Sequence, residues 1–251
     1  MPLMPSIQAV IKRRLLVNFR VDPGVMQRLL PDGLAPKLQG DYAVAGICLI
    51  RLERIRPAAV SIPFGFSSEN AAHRVAVRWR GADADAREGV FIPRRHTDSS
   101  LILAVGGRVF PGVHQRACFD VCDARDEIRI AIKAMAGDME ICLRACVASE
   151  LPSDSVFPSL EAASEFFRSG AVGYSPARQP EKLEGLRLIA PKWRVAPLHV
   201  SEVYSSWFSD EDRFPQGSVT FDCALVMRDV SHRWQLEPAL DLEGDRLKKA
   251  A

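Results

Sequence analysis

Short segments in which apolar and polar residues alternate run through most of the chain, a pattern typical of strands with one buried face. In the clearest of them, Ile128, Ile130 and Ile132 fall on one face and charged side chains on the other. Strands are predicted at about ten such segments, namely 15–20, 42–50, 72–80, 89–93, 116–122, 127–134, 139–148, 186–195, 199–207 and 218–228. Such strands favour an antiparallel sheet whose second face meets water or a polar cavity.

Three short helices are also predicted, at 22–30, from 98 or 99 to 105, and at 159–168. Asp22 and Pro23 supply the N-cap and first position of the first helix, and Gly106-Gly107 close the second. These elements predict an α+β fold built on a curled or closed, mainly antiparallel sheet. No Gly/Pro/Ser-rich linker divides the chain, so we expect a single domain over 1–251 with its core at about 9–238.

The composition excludes several classes of partner. With 33 Lys+Arg against 31 Asp+Glu, the formal net charge of +2 gives no overall field that would draw the protein onto nucleic acid. No apolar run has the roughly 18–20 residues that cross a bilayer, and residues 1–6 lack the apolar stretch of a secretion signal. We therefore expect a cytoplasmic protein that binds neither nucleic acid nor membrane.

The six cysteines form no recognisable metal or disulfide motif. Cys118 and Cys122, like Cys142 and Cys146, lie four residues apart on one predicted strand, about 13 Å, too far for a disulfide or a shared metal ion. Pairing between strands stays open, but reduced cysteines packed as small hydrophobes are the plainer interpretation. The five histidines are scattered and glycine-rich phosphate-binding motifs are absent, so we expect no metal and no cofactor.

Residue chemistry alone points first to the segment 94–98, which lies between a predicted strand and a predicted helix N-terminus. Arg94 and Arg95 can clamp a carboxylate or phosphate, and His96 can transfer a proton near neutral pH. The helix N-terminus adds a further attraction for an anion. The opposing interpretation is that Asp98 or Thr97 caps the helix while both arginines pair with surface acids.

Weaker signals lie elsewhere. His114 and Arg116 share a strand face if their strand begins that early, and they either line a pocket or belong to a solvated turn. Asp222 alternates with apolar residues, so its carboxylate is either paired with an arginine or held in a cavity. His73 shares an apolar strand face, which indicates a hydrogen-bonded core histidine, whereas Arg74 lies on the opposite face, which is either outer surface or polar lumen.

Several short motifs resemble those of a known family, in the same order along the chain. The segments 18–23 (NFRVDP) and 29–34 (LLPDGL) are similar to the N-terminal signature of the acetoacetate decarboxylase-like superfamily. The segments 66–70 (FSSEN) and 89–93 (GVFIP), with the strand-rich middle, resemble the domain of unknown function 2071 family, a branch of that superfamily. The similarity extends over about residues 11–234.

The resemblance implies a β-barrel with a central polar cavity and small flanking helices. In the decarboxylases, a lysine in that cavity forms a Schiff base with a β-keto acid, and a neighbouring lysine lowers its pKa. Position by position, the early basic residue falls within 12–14, which includes Arg13, and the cavity carboxylate falls at about Glu69. The lysine pair belongs shortly after Arg95, but the next lysine in this chain is Lys133.

Three functions are therefore weighed. The first is a barrel that binds a small anionic organic molecule such as an oxo acid, extending to a lysine-independent enzyme of lyase or hydratase type that uses His96 and Glu69. The alternative is a non-catalytic protein that senses or sequesters its ligand. The third is a Schiff-base enzyme whose lysine has moved to Lys12 or Lys133, the arginines beside Lys12 lowering its pKa. Exposed strand edges and the assembly of related barrels leave a homo-oligomer open.

Overall fold

The structure, a computed structural model, describes residues 6–58, 65–81, 85–105, 111–124, 127–179 and 182–241. The three helices are α1 (Pro23–Leu29), α2 (Ser100–Val105) and α3 (Leu160–Ser169). The strands are β1 (Ser6–Val21), β2 (Ala35–Pro36), β3 (Leu38–Gln39), β4 (Tyr42–Pro57), β5 (Phe66–Arg80), β6 (Ala86–Thr97), β7 (His114–Asp123), β8 (Ile128–Ala134), β9 (Glu140–Val147), β10 (Val172–Pro176), β11 (Lys182–Ile189), β12 (Ala196–Ser205) and β13 (Val219–Asp241). The predicted mainly antiparallel α+β fold is confirmed.

The strands form one 13-stranded sheet that closes on itself twice. The pairing of β5 with β6 closes a first ring made of β1, β4, β5, β6, β7, β8, β9, β12 and β13. The pairing of β11 with β13 closes a second ring made of β1, β4, β5, β6, β10, β11 and β13. Five strands, β13, β1, β4, β5 and β6, therefore belong to both rings and separate one interior from the other.

The shared strands bury both of their faces, because successive side chains of a strand point to opposite sides. On β5, Val75 packs in the core of the first ring, while Arg74 faces the second ring. On β4, Leu49 likewise packs in the core of the first ring, while Cys48 faces the second ring. The first ring is filled by aliphatic side chains, each at most 3% exposed, that include Ile128, Ile130, Ile132, Ile141 and Leu143.

Helices α2 and α3 pack on the second ring. The Ser159 side chain accepts a hydrogen bond from the Ala162 amide and caps the N-terminus of α3. Phe166 and Phe167 of α3 then pack on side chains of the shared strands. In α2, Ile102 is 2% exposed and packs in a separate cluster on the same sheet. The second ring is thus covered by helices rather than by further strands.

The predicted strand ends differ from the observed ones where pairing with distant strands extends a strand. β6 continues through Thr97 because it pairs with Asn70 of β5, so residues 94–97 belong to the strand, and the predicted strand end at residue 93 is wrong. β13 is 23 residues long because it pairs first with β12 and then with β11. β10 was not predicted, since its five residues VGYSP show little alternation. The predicted helix end at Gly106-Gly107 lies outside the described residues.

Two local predictions can be checked directly. Asp22 caps α1, accepting a hydrogen bond from the Val25 amide at 2.8 Å. All six cysteines are free, as expected, although only Cys48 and Cys223 are buried, so packing as small hydrophobes holds for those two. In the part of the chain that the structure describes, no helix combines the length and apolar character needed to cross a membrane.

Candidate functional site

The second ring encloses a cavity of about 130 Å³ near the end of α3. Its walls are mostly apolar and include Ile50, Ile92, Phe167, Leu186, Leu188 and Trp193. A cavity of about 150 Å³ accommodates a molecule the size of benzene. This space therefore fits an organic molecule of only a few carbon atoms.

Three arginines from three shared strands converge on this space, which we call the arginine cavity: Arg14 on β1, Arg74 on β5 and Arg95 on β6. Strand register brings them together. Ala72, two residues before Arg74 on the same face, pairs with Arg95 on one side and with Cys48 on the other. Cys48 pairs in turn with the residue two positions after Arg14.

Arg14 and Arg95 each bind a neutral side chain. The Arg14 Nε donates to Cys48 Sγ at 3.3 Å, and the Arg95 Nε donates to Ser175 Oγ at 2.8 Å. Among the described residues, no Asp or Glu lines the cavity, and neither arginine forms an ion pair. Neither cation therefore has a directly bound anionic partner among the described residues, and the charge of Glu184 acts on Arg95 without an ion pair.

Arg74 is the most deeply buried of the three, at 3% exposure. Its Nη2 donates to Asn18 Oδ1, and its guanidinium lies 4.7 Å from the centre of the Phe167 ring. Its Nε has no hydrogen-bond partner among the described residues. A buried donor without a partner costs free energy, which a ligand that accepts the hydrogen bond would recover.

The charge of the cavity follows from these contacts. Burial lowers the pKa of Arg74 and of Arg95 to about 10, while the nearby Cys48 sulfur opposes the shift in both. Both guanidiniums therefore stay protonated at neutral pH. Buried cations without an anionic partner carry a desolvation penalty. The arginine cavity is thus complementary to an anion, and guanidinium groups bind carboxylate or phosphate in a bidentate manner.

Two histidines also border the cavity, His96 and His114. His114 pairs with Arg95 and shares its face, whereas His96 pairs with Ala71, so its imidazole lies on the opposite face of β6 with Arg94. Burial lowers the pKa of His114 to about 3, and the charge of Arg95 lowers it further. Burial also lowers the pKa of His96, where Asp138 opposes the shift and Arg94 adds to it. At pH 7 both imidazoles are neutral and can accept a proton.

The loop before β7 lies beside Arg95 and Ser175. Pro111 lines the cavity, and the Gly112 amide donates to a Glu184 carboxylate oxygen at 2.7 Å. Gly112 has φ +82°, and a Cβ there would lie 2.6 Å from Cβ of Ser175, the residue that binds Arg95. Glycine is therefore required at this position.

The other residues of the predicted segment and its neighbourhood lie outside the cavity lining. Arg94 donates to the Asp138 carboxylate at 3.2 Å, on the side of β6 opposite Arg95. The Asp98 carboxylate accepts a hydrogen bond from the Glu69 amide at 3.0 Å and so ties α2 to β5 rather than binding an anion. β7 does begin at His114, but Arg116 turns to Ser100 Oγ at 2.6 Å.

Glu69 and Arg13 belong to a separate buried cluster on the first-ring side of the shared strands. The Arg13 Nη2 donates to Glu69 Oε2 at 2.7 Å, and its Nη1 lies 3.4 Å from an Asp123 carboxylate oxygen. Arg228 holds Asp123 with two further hydrogen bonds, at 2.9 and 2.6 Å. Burial raises the pKa of Glu69, and the charge of Arg13 opposes this. None of these residues lines the arginine cavity.

Asp222 holds the segment that leads into α3. Its two carboxylate oxygens accept hydrogen bonds from the Val156 amide and the Ser155 hydroxyl, both at 2.8 Å. Arg20 lies 3.7 Å from the same carboxylate, so pairing with an arginine, one of the two predicted alternatives, is what the structure shows. Asp222 is not among the residues that line the cavity.

Arg14, Arg74 and Cys48 line the cavity but were not chosen as site residues, although a polar lumen was one of the two alternatives for the face of Arg74. The signal for Arg74 was present, because alternation along β5 places it opposite His73, whose hydrogen bond to Ser205 Oγ at 3.1 Å identifies it as the predicted core histidine. Alternation alone does not show that a second ring of strands encloses the face of Arg74.

The lysines do not support a relocated Schiff base. Lys12 is half-exposed and bound to Asp229 at 2.7 Å, a hydrogen bond that raises its pKa, whereas the hypothesis required a lowered pKa. Lys133 is exposed and pairs with Glu140 at 3.1 Å. Of the described lysines, none lines the cavity. The described residues also include no group of three or more His, Cys, Asp or Glu placed to hold a metal ion.

Comparison with solved structures shows which fold this is. The chain is similar to an acetoacetate decarboxylase from Legionella pneumophila, with 12% identity, a TM-score of 0.56, and coverage of 95% of this chain and 89% of the other. It is also similar to an acetoacetate decarboxylase-like enzyme from Sphingomonas wittichii RW1, with 14% identity, a TM-score of 0.54, and coverage of 96% of this chain and 93% of the other. A third similar structure is the enduracididine biosynthesis enzyme MppR in complex with pyruvate, with 14% identity, a TM-score of 0.58, and coverage of 96% of this chain and 91% of the other. At these identities the likeness establishes the fold alone.

Comparison of sequences agrees with the resemblance seen in the motifs. No curated protein matches the chain. One family model, DUF2071, described as an uncharacterized conserved protein, matches residues 8–222. That range covers most of the sequence and includes β4, β5 and β6 in full and β1 from residue 8 onwards, but it reaches only the first four residues of β13. The chain therefore belongs to the domain of unknown function 2071 family, and it has the fold of the acetoacetate decarboxylase-like proteins.

Proposed function

We propose that this protein binds a small anionic organic molecule, such as an oxo acid, in the arginine cavity. The observation that carries the proposal is the meeting of Arg14, Arg74 and Arg95 in a largely apolar space whose described lining contains no carboxylate. Charged groups buried in this way are paired in folded proteins. An incoming carboxylate supplies the missing partner, and the apolar walls suit a short carbon chain.

The similar structures support the choice of an oxo acid. MppR was solved with pyruvate, and acetoacetate decarboxylase is named for acetoacetate. Both compounds are small anions that carry a carbonyl group and match a cavity of about 130 Å³. Phosphate carries the required charge but has no apolar part that would pack against the apolar walls, so an organic carboxylate matches the cavity better.

The chemistry that these residues support is proton removal next to a carbonyl, as in a lysine-independent lyase or hydratase. With the carboxylate on the arginines, neutral His114, which shares the face of Arg95, accepts a proton from the adjacent carbon, and the electron pair of the broken C–H bond forms an enolate. A guanidinium then stabilises the enolate oxygen. Glu69 has no part in this step, because it is bound to Arg13.

A non-catalytic binding protein is the second candidate. The small number of groups in the cavity that can donate or accept a proton favours it. The pKa of about 3 makes His114 a weak base. No carboxylate or amine among the described residues lines the space to return a proton. Such a cavity holds its ligand by charge and shape without converting it.

Calorimetry with pyruvate, acetoacetate and methyl pyruvate tests the binding proposal. Methyl pyruvate keeps the carbonyl group but removes the charge, so we expect pyruvate to bind at least about 10-fold more tightly. The Arg74→Gln variant is expected to lose this preference, whereas Arg78→Gln, a substitution at an exposed position of the same strand, is expected to keep it. Equal affinity for pyruvate and its ester, or no binding of any acid, would refute the proposal.

Proton NMR in D₂O separates the two candidates. An enzyme of the proposed kind exchanges the methyl protons of pyruvate for deuterium. His114→Gln is expected to abolish that exchange while pyruvate still binds, and His96→Gln, on the other face of β6, is expected to keep it. Binding without exchange identifies the non-catalytic protein. Exchange that survives in His114→Gln would show that another residue is the base.

A single domain over 1–251, a cytoplasmic location and a homo-oligomeric state are retained as further proposals. The exposed apolar side chains of Leu101, Val113 and Met135 support self-association. Light scattering of the purified protein tests it, and a monomer mass at every concentration would contradict it.

A further inference from the structure

Cys48 is the nucleophilic side chain of the arginine cavity that the proposed chemistry leaves unused. Its sulfur accepts a hydrogen bond from Arg14 Nε at 3.3 Å. It also lies close enough to Arg74 and Arg95 to interact electrostatically with both guanidiniums. Among the described lining residues, no other side chain carries a thiol, hydroxyl or amine. A hydrogen bond donated to sulfur is stronger when the sulfur is anionic, which is the nucleophilic form of cysteine.

A second, independent feature of the same cavity points to a ligand beside this sulfur. Arg74 is 3% exposed, lines the cavity and has an Nε without a hydrogen-bond partner. An anion bound to Arg74 is placed between β5 and β4, because Ala72, the neighbour of Arg74 on this face, pairs with Cys48. The carbonyl carbon next to the bound carboxylate then lies in the same cavity as the sulfur.

We propose that Cys48 is the nucleophile of this cavity and adds reversibly to the carbonyl carbon of an oxo acid, an inference that rests on the proposed function. An S–C bond forms and the π bond of the carbonyl breaks, so that its electron pair moves to the oxygen. The thiol proton ends on that oxygen, and the product is a thiohemiketal. A guanidinium stabilises the oxyanion before it is protonated. The step requires no oxidant or other reactant.

Alkylation tests the reactivity of Cys48 without knowledge of the natural ligand. The protein is treated with iodoacetate or with neutral iodoacetamide, and each cysteine is followed by mass spectrometry of its peptide. Because three guanidiniums attract the anionic reagent, we expect the iodoacetate-to-iodoacetamide rate ratio at Cys48 to exceed that at exposed Cys118 by about 10-fold. Cys223, which is fully buried and whose pKa burial raises to about 12, is expected to resist both reagents. Equal ratios at Cys48 and Cys118 would overturn the inference.

Carbon NMR with [2-¹³C]pyruvate tests the addition itself. Bound pyruvate is expected to give a signal of tetrahedral carbon in the parent protein and in Cys223→Ser. The signal is expected to vanish in Cys48→Ser and Cys48→Ala while calorimetry still detects binding, since the arginines are intact. Binding without a tetrahedral signal in the parent would overturn this inference and leave the proposed function standing. Absence of pyruvate binding in every variant would overturn both.

Discussion

Arg94 and Arg95 are adjacent in sequence and serve opposite sides of β6. The Arg94 guanidinium binds the Asp138 carboxylate at 3.2 Å, whereas Arg95 binds the neutral Ser175 hydroxyl at 2.8 Å and lines the arginine cavity. One arginine is therefore neutralised by the protein, and the other is left for a ligand. Replacing each arginine in turn therefore gives a matched comparison, in which Arg94 is the control for Arg95.

Arg95→Gln is expected to weaken pyruvate binding by about 10- to 100-fold, the value of one charge-assisted hydrogen bond. Arg94→Gln is expected to leave the dissociation constant unchanged, because its guanidinium lies on the other side of the strand. Isothermal titration calorimetry measures both. Equal losses in the two variants would show that the cavity is not the binding site.

Ala72→Leu is expected to block binding without unfolding the protein. Ala72 lines the cavity between Cys48 and Arg95, so the larger side chain fills empty space, and the free energy of unfolding is expected to stay within about 1 kcal/mol of the parent or to rise. Ala76→Leu is the control: this alanine lies on the same strand face but is 3% exposed in the packed cluster under α3. Overpacking there is expected to cost about 1–3 kcal/mol. Urea unfolding and calorimetry provide the measurements, and destabilisation of equal size in both variants would contradict an empty cavity at Ala72.

Glu69→Gln is expected to lower stability and leave pyruvate affinity unchanged. Glu69 pairs with Arg13 at 2.7 Å, and the two side chains are 11% and 3% exposed. Removing one partner of a buried ion pair costs about 3 kcal/mol. Glu53→Gln, at an exposed carboxylate 3.8 Å from Arg51, is the control and is expected to change stability by less than about 0.5 kcal/mol. A loss of affinity at unchanged stability would instead return Glu69 to the ligand-binding site.

Stability is expected to fall as the pH drops below about 6.5, the pKa of a free histidine. Burial lowers the pKa of His73 to about 3 and that of His232 to about 4. The unfolded chain therefore takes up protons that the folded protein cannot, so stability is complete above the unfolded pKa and is lost as pH falls toward the folded values. Each such histidine contributes a loss of about 2 kcal/mol at pH 5.

Urea unfolding at pH 7.5 and pH 5 measures this dependence. His232→Phe removes one titrating group, so the difference between the two pH values is expected to shrink by about 2 kcal/mol relative to the parent. An unchanged difference would show that His232 is protonated in the folded protein.

Local features of the fold could be predicted because their causes lie within a few residues. Asp22 and Ser159 are N-caps with a short side chain that accepts a hydrogen bond from the helix, and both helices begin where expected. Alternation in β8 placed Ile128, Ile130 and Ile132 on the buried face. These patterns depend on residue type and spacing alone.

The site could be predicted only in part because two rings share five strands. In a sheet with one solvated face, Arg74 and its neighbours would be ordinary surface charges, and nothing in the spacing of β5 distinguishes that case from an enclosed face. The second ring is closed by β10 and β11, which meet β6 and β13 from distant parts of the sequence. Arg95 was nevertheless identified from the basic residues that cluster at the predicted strand end, and His114 from the strand face that it was expected to share with Arg116. Arg94 could not be separated from Arg95, since that choice depends on the pairing of β6 with β5.

A crystal structure of the protein grown with pyruvate would test most directly whether the arginine cavity binds an oxo acid. The expected result is pyruvate within the second ring, with its carboxylate in hydrogen-bond contact with at least two of Arg14, Arg74 and Arg95. Pyruvate bound elsewhere while the cavity holds only water, or guanidiniums that have turned out of the cavity, would contradict the proposed site.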